Sequence, residues 1–231
     1  MVLTLAEALE LPLREQNLLL QAAGFAPVFR DTYLGAAEMA PVRRTIELIL
    51  RAHEPYRAVA LTRNWNIVMA NRPQAAVLAA LIGGPVSPFS VLAPPQPNLL
   101  RLLFTPALRS LIVNWDAVAR IALARAHREA VWSRDQELEE LVRELSESLP
   151  GESGTVVEES FVPYIPLELR AGDRVLRFLS SISTLGAPQD VSLQELRIEA
   201  YFPADDDTDR QARRDFGALA DRDGSPGLPP K

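Results

Sequence analysis

Hydrophobic and polar residues alternate with period two in three parts of the chain and follow a helical period through most of the rest. From Leu196 the alternation is strict, with Leu196, Ile198, Ala200 and Phe202 on one side and Arg197, Glu199 and Tyr201 on the other, which predicts a half-buried strand. The run before it, Arg174 to Thr184, also alternates, placing Leu176, Phe178, Ser180, Ile182 and Thr184 on one face and Val175, Arg177, Leu179, Ser181 and Ser183 on the other. Hydroxyls late in a strand are either a solvated strand end or the polar wall of a pocket. A turn rich in helix and strand breakers joins the two runs. Upstream, Ile165, Leu167 and Leu169 mark a further strand, and YRAVALTRNWNIVMAN, from Tyr56, reads as a hairpin turning at Arg63 and Asn64.

Helical spacing accounts for the remainder. Leu5, Ala8 and Leu9 predict a helix ending before Pro12, and Leu13–Ala23 a second closed by Gly24. Residues 25–40 read as a connector. Val42, Ile46 and Ile49 then share one face of a helix that stops near His53. Pro73–Leu81 forms another, halted by Gly83, Gly84 and Pro85, and a proline-rich loop leads to a short helix from Asn98 to Phe104, bounded by Pro106. Trp115, Val118, Ala119, Ala122 and Ala126 line one side of a long helix with Asn114 at its N-cap. Ser133 with Gln136 has the capping-box spacing for the next helix, striped by Leu138, Leu141, Val142 and Leu145 and broken at Pro150–Gly154. Asp205–Asp207 is suited to capping a last helix, and GSPGLPPK has too little apolar content to order. With residues 1–54 set aside as an N-terminal helical segment, the order is two strands, several helices, three strands. That order fits an α+β domain over residues 55–214, a five-stranded antiparallel sheet with helices on one face, the connectivity of a PAS-like domain, followed by a disordered tail at 215–231. Such a sheet under arching helices encloses a small apolar cavity.

Composition narrows the function. The chain has 231 residues, 48% hydrophobic and 23% charged, near globular averages, with no apolar run long enough for a membrane helix. No secretory leader is apparent and there is no cysteine, which fits a cytoplasmic protein with no membrane partner. The net charge of -6 argues against binding nucleic-acid phosphates as a main task.

Candidate chemistry is sparse. His53 and His127 stand on separate predicted helices, no nucleophile elbow, phosphate loop or dinucleotide motif occurs, and the acidic cluster suits a helix start better than a metal. The expectation is therefore a non-enzyme without cofactor or metal. What remains are amphipathic residues in apolar context: Trp65, Asn66, Asn71, Asn98, Leu99, Leu102, Asn114, Trp115, Val118, Phe178, Ser180 and Thr184, with Arg101 as a cation for an acidic head group. Structural roles are available to each, Trp65 and Asn66 in the hairpin turn, Asn114 as a cap, Trp115 as core. Together they offer apolar walls with a few hydrogen-bonding groups, as an apolar ligand with a polar head requires.

LAEALELPLREQNLLLQAAGFAPVFRDT, AHEPYRAVALTRNWNIVMAN, NLLRLLF, LIVNWDAVARIALARAHREA and TLGAPQDVSLQELRIEAYFPAD, in that order, resemble the ligand-binding domain of the MmyB-like helix-turn-helix transcription regulators, over about Met1 to Arg214. The resemblance implies a PAS-like fold, bacterial origin and a sensor for a small amphipathic ligand such as a fatty acid. It also implies a homodimer, since such regulators read paired half-sites. Two departures stand out. MVLTLAEALELP resembles only the last part of the helix-turn-helix, so DNA binding is expected only when that unit is complete. LFTP at Leu103–Pro106 stands where relatives often carry His before Pro, leaving Thr105 a neutral hydrogen-bonding group. The competing expectation is an interaction or dimerisation module whose core is simply filled.

Overall fold

The structure is a computed structural model and describes residues 1–149 and 164–220. Its centre is an antiparallel sheet of five strands, β1 (Ala58–Leu61), β2 (Ile67–Ala70), β3 (Leu167–Ala171), β4 (Arg174–Thr184) and β5 (Arg197–Pro203). Their spatial order is β2-β1-β5-β4-β3, the PAS-like topology that the strand and helix order predicts. The first and last strands pair at the centre, with Ala58 opposite Ala200 and Leu61 opposite Arg197. Strand β4 runs beside β5 from Phe178–Pro203 to Thr184–Arg197.

AVAL in β1 is apolar at every position because both faces of the sheet are covered. On one face Ala58 and Ala60 meet Ile46 and Leu50 of α3 (Ala40–Ala52), both fully buried. On the other, Val59 and Leu61 meet Leu78 of α4 (Arg72–Ile82) and Leu102 of α5 (Leu99–Leu103). Two more helices, α6 (Pro106–Leu111) and α7 (Trp115–Ser133), complete the arch with α8 (Gln136–Ser146) packed on α7. The outer edge of β2 is closed by the proline-rich loop, where Phe89 and Leu92 donate to the Ala70 and Val68 carbonyls and Ile67 donates to Pro97. Those bonds replace a sixth strand and remove an exposed edge.

The N-terminal helices α1 (Val2–Ala8) and α2 (Leu13–Ala22) reach the sheet through α9 (Val191–Glu195), the short helix between β4 and β5. The Leu13 amide donates to Gln194 Oε1 at 2.6 Å, and Arg14 Nε sits 2.7 Å from Glu195 Oε1. A parallel bridge between Arg30 and Asp190 ties down the connector.

Several local expectations change. Strand β5 is buried on both faces: Arg197, Glu199 and Tyr201 are each under one-tenth exposed, while Phe202 on the apolar side is 43% exposed. The alternation marks two different interiors, because α7 lies over the polar side. The Asp135 carboxylate caps α8 by accepting from the Leu138 amide, while Ser133 finishes α7 and bonds back to the Glu129 carbonyl. Helix α6 follows Thr105-Pro106, a cap and first-position proline that read in sequence as a break. Helix α9, capped by Asp190, occupies the supposed turn. Asp205 caps α10 (Asp206–Ala220) by accepting from the Thr208 amide, and this helix passes the expected tail start at 215. The break at Pro150–Gly154 and the stretch from 221 to 231 lie outside the described residues.

Candidate functional site

Between the arch and the sheet lies a cavity of about 180 Å³, larger than the ~150 Å³ that suffices for a benzene-sized guest. Its apolar wall comes from helices whose leucines and valines point down at the sheet, among them Leu78, Leu99, Leu102, Leu108 and Val118. Of the residues expected there, Trp65, Leu99, Leu102, Val118, Phe178 and Ser180 line the cavity. The face of β4 that points inward is the one carrying Phe178 and Ser180; Tyr164 crosses it, its hydroxyl donating to the Ser180 carbonyl at 3.0 Å.

The other seven, Asn66 among them, stand outside the lining, and the hydrogen bonds say why. Asn71 is fully buried and consumed: its Oδ1 accepts from the Ala58 and Gln74 amides, and its Nδ2 donates to the Tyr56 and Leu50 carbonyls. Asn98 caps α5 by accepting from the Arg101 amide and donates to Asn66 and to the Asn64 carbonyl. Arg101 is half exposed and forms a two-point pair with Glu144. Asn114 reaches across to β3, bonding the Pro166 carbonyl and Glu168 amide instead of capping α7. Trp115 is buried core, its Nε1 donating to Leu103 and its ring edge-on to Phe104. Thr184 is exposed at the end of β4, opposite Arg197. Thr105 is the α6 cap, donating to the Leu102 carbonyl and accepting from the Leu108 amide.

The polar end of the cavity is built from residues that sequence reasoning missed: Arg57, Gln74, Arg125, Glu199 and Tyr201. Register explains their meeting. Val59 faces Glu199 across β1 and β5, the Tyr201 amide donates to the Arg57 carbonyl, and Ser180 faces Tyr201 across β4. Arg57 is therefore two residues before Val59 on the cavity face.

Charges in this stripe are unevenly partnered. Glu129 of α7 receives Trp65 Nε1 at 2.8 Å, Arg197 Nη1 at 2.8 Å and Arg125 Nε at 2.9 Å. Burial works to raise its carboxyl, and the two guanidiniums outweigh burial and hold it below the ordinary value. Arg125 and Arg197 both stack on the Trp65 ring, at 4.7 and 4.4 Å. By contrast, Arg57 lies over the rings of Phe178 and Tyr201, at 4.8 and 5.2 Å, and forms no ion pair among the described residues. Burial pushes its guanidinium below the usual arginine value. The same cause raises the Glu199 carboxyl, whose Oε2 is 3.9 Å from Arg125 and makes no hydrogen bond. Tyr201 is raised well above the usual phenol range, by burial first and the neighbouring Glu199 second. Three guanidiniums against two carboxyls leave one buried cation in excess.

A PAS-like sheet roofed by helices around an apolar cavity with an excess buried cation has the features of a small-molecule-binding domain. No group of three or more His, Asp or Glu side chains placed to hold a metal occurs among the described residues. Residues 42–214 match the family model of the MmyB-like transcription regulator ligand binding domain, and the chain belongs to that family. No curated protein matches it significantly. None of the described helices is long and apolar enough to cross a membrane.

Proposed function

We propose that this chain is the sensor of a cytoplasmic bacterial transcription regulator, non-enzymatic, which takes a small amphipathic acid such as a fatty acid into the cavity beneath α4–α7. Arg57 carries this reading. It is a buried cation without a carboxylate partner, aimed into an apolar space, and that arrangement is costly until an anion arrives. A carboxylate head placed there meets Arg57 and Tyr201, and its tail lies against Leu78, Leu99, Leu102 and Val118.

A route for the signal begins at Trp65, which lines the cavity within the β1–β2 turn. Two residues earlier, Arg63 binds Asp135 at 2.7 Å and Glu195 at 3.2 Å, and Glu195 is held by Arg14 of α2. Ligand seated against the indole shifts the balance between two settings of this turn, and through the ion chain the setting of α1 and α2. A DNA-binding helix-turn-helix adjoining α1, in a homodimer, would receive it.

Organic extraction of the purified chain with mass spectrometry, followed by a thermal-shift screen of saturated acids, tests the reading. Occupancy at a hundred times the dissociation constant stabilises by about 2.7 kcal/mol, which in a chain of this size raises the Tm by roughly 5–10 °C. No extracted amphiphile and a flat response to every acid would overturn it. That outcome would favour a filled-core interaction module.

A further inference from the structure

We propose that the polar end of the cavity is built for a head group that donates as well as accepts: a carboxylic acid carrying a nearby hydroxyl, not a plain fatty acid. The inference rests on the proposed reading of the cavity as the ligand site.

Three side chains there, each more than nine-tenths buried, keep a polar atom without a hydrogen bond: Arg57 Nη2, Gln74 Oε1 and Glu199 Oε2. Unused buried atoms of this kind are uncommon in proteins. All three residues line the one cavity. They also come from three elements drawn to the same end. Asn71 Oδ1 accepts from the Gln74 amide at 3.2 Å and from the amide of Ala58, the residue after Arg57, at 3.1 Å. Glu199 lies opposite Val59, one step along the same cavity face from Arg57.

The three unused atoms have different needs. Arg57 Nη2 is a donor, which a carboxylate satisfies. Gln74 Oε1 and Glu199 Oε2 are acceptors. A plain carboxylate would set its own lone pairs against these oxygens and leave them as they are. A hydroxyl one or two carbons from the carboxylate gives one of them a proton while the head stays on Arg57. An ammonium would also donate, but it would enter a cluster that already holds one cation too many. The hydroxy acid is the head group that fits both the hydrogen bonds and the charge.

Isothermal titration calorimetry of the delipidated chain with decanoic, 2-hydroxydecanoic and 3-hydroxydecanoic acids decides it. One hydroxy acid should bind about tenfold or more tightly than decanoic acid, the ratio expected when a buried acceptor gains a donor. In Gln74→Leu that ratio should fall several-fold toward one, because a main acceptor is gone. Equal affinity for all three acids overturns the inference and leaves the cavity a fatty-acid site. Absence of binding by all three overturns this inference together with the reading beneath it. If Q74L does not fold, the comparison on the unaltered chain still decides the question.

Discussion

Replacing Arg57 with methionine should make the empty protein more stable and the liganded protein harder to form. The guanidinium is buried, touches two ring faces and has no carboxylate partner. Methionine is unbranched like arginine but about two bonds shorter, so its thioether recovers only part of what the two cation–π contacts supply. The contact terms therefore leave a shortfall of a few tenths of a kcal/mol, on the order of one weak sulfur–ring contact. What remains is relief of a buried, under-bonded charge, for which about 1–3 kcal/mol is a measured scale when the orphaned donor alone is considered. Removing one of three neighbouring guanidiniums acts in the same direction. At roughly 2–4 °C per kcal/mol for this chain length, R57M should raise the Tm of ligand-free protein by about 2–10 °C. The same change removes a charge-assisted hydrogen bond worth about 1.5–3 kcal/mol, a loss of roughly 10- to 150-fold in affinity for an acidic amphiphile. Differential scanning calorimetry of delipidated protein and calorimetric titration with decanoate measure the two halves. A lower Tm in the variant, with affinity retained, would show that Arg57 is a structural residue and that the charge argument is mistaken.

Other substitutions separate the remaining roles. Asn71→Ala deprives two buried amides and two carbonyls of their partner, and should cost about 3–4 kcal/mol, seen as a urea midpoint shift at unchanged m-value. Glu199 has its pKa raised on folding, so the native state holds a proton that the unfolded chain releases first. Stability from this group is present below the ordinary carboxylate range and is lost as pH rises through the elevated native value. Glu199→Gln should therefore melt higher than the parent at pH 8, with the gap closing as pH falls toward 4.5; a gap that stays constant with pH would refute this. Arg63→Ala removes contacts to Asp135 and Glu195 that lie outside the cavity, and it should uncouple α2 from the site. Ligand should slow amide exchange in residues 13–22 of the parent, and that protection should be absent in R63A; equal protection in both would break the proposed route.

Much of the architecture was readable because one periodicity dominated each segment. Val42, Ile46 and Ile49 gave a helix, and the hairpin at Arg63 and Asn64 followed from two apolar runs around polar turn residues. Thr105-Pro106 was misread because proline after a cap starts a helix as readily as it ends one. For the site, the apolar half was legible: Trp65, Leu99, Leu102, Val118, Phe178 and Ser180 all line the cavity. The asparagines were not, since an amide side chain in apolar surroundings looks the same whether it serves a ligand or, as in Asn71 and Asn98, the backbone around it. Arg57, Glu199 and Tyr201 were hidden by the strand rule itself. Polar residues alternating with apolar ones read as a solvated face, and only packing reveals that α7 covers them.

The cover is itself charged, and its charges are unevenly matched along the strand. Arg125 and Glu129, four residues apart on α7, lie against the polar side of β5. At the Arg197 end the partners close: Glu129 takes Arg197 and the Trp65 indole together, and the two guanidiniums hold the indole ring. These contacts offset the roughly 1–2 kcal/mol that a left-handed backbone costs a side-chain-bearing residue, for Trp65 has φ of 65°. At the Arg57 end the same stripe finds the ring faces of Phe178 and Tyr201 instead of a carboxylate. One end of a single charged layer thus holds the turn in a costly conformation, and the other end lacks an anion. On the proposed reading, a ligand that supplies the anion against Arg57 and presses its tail on the indole would act on both ends at once, and would link occupancy of the cavity to Arg63 and from there to α2 through Glu195.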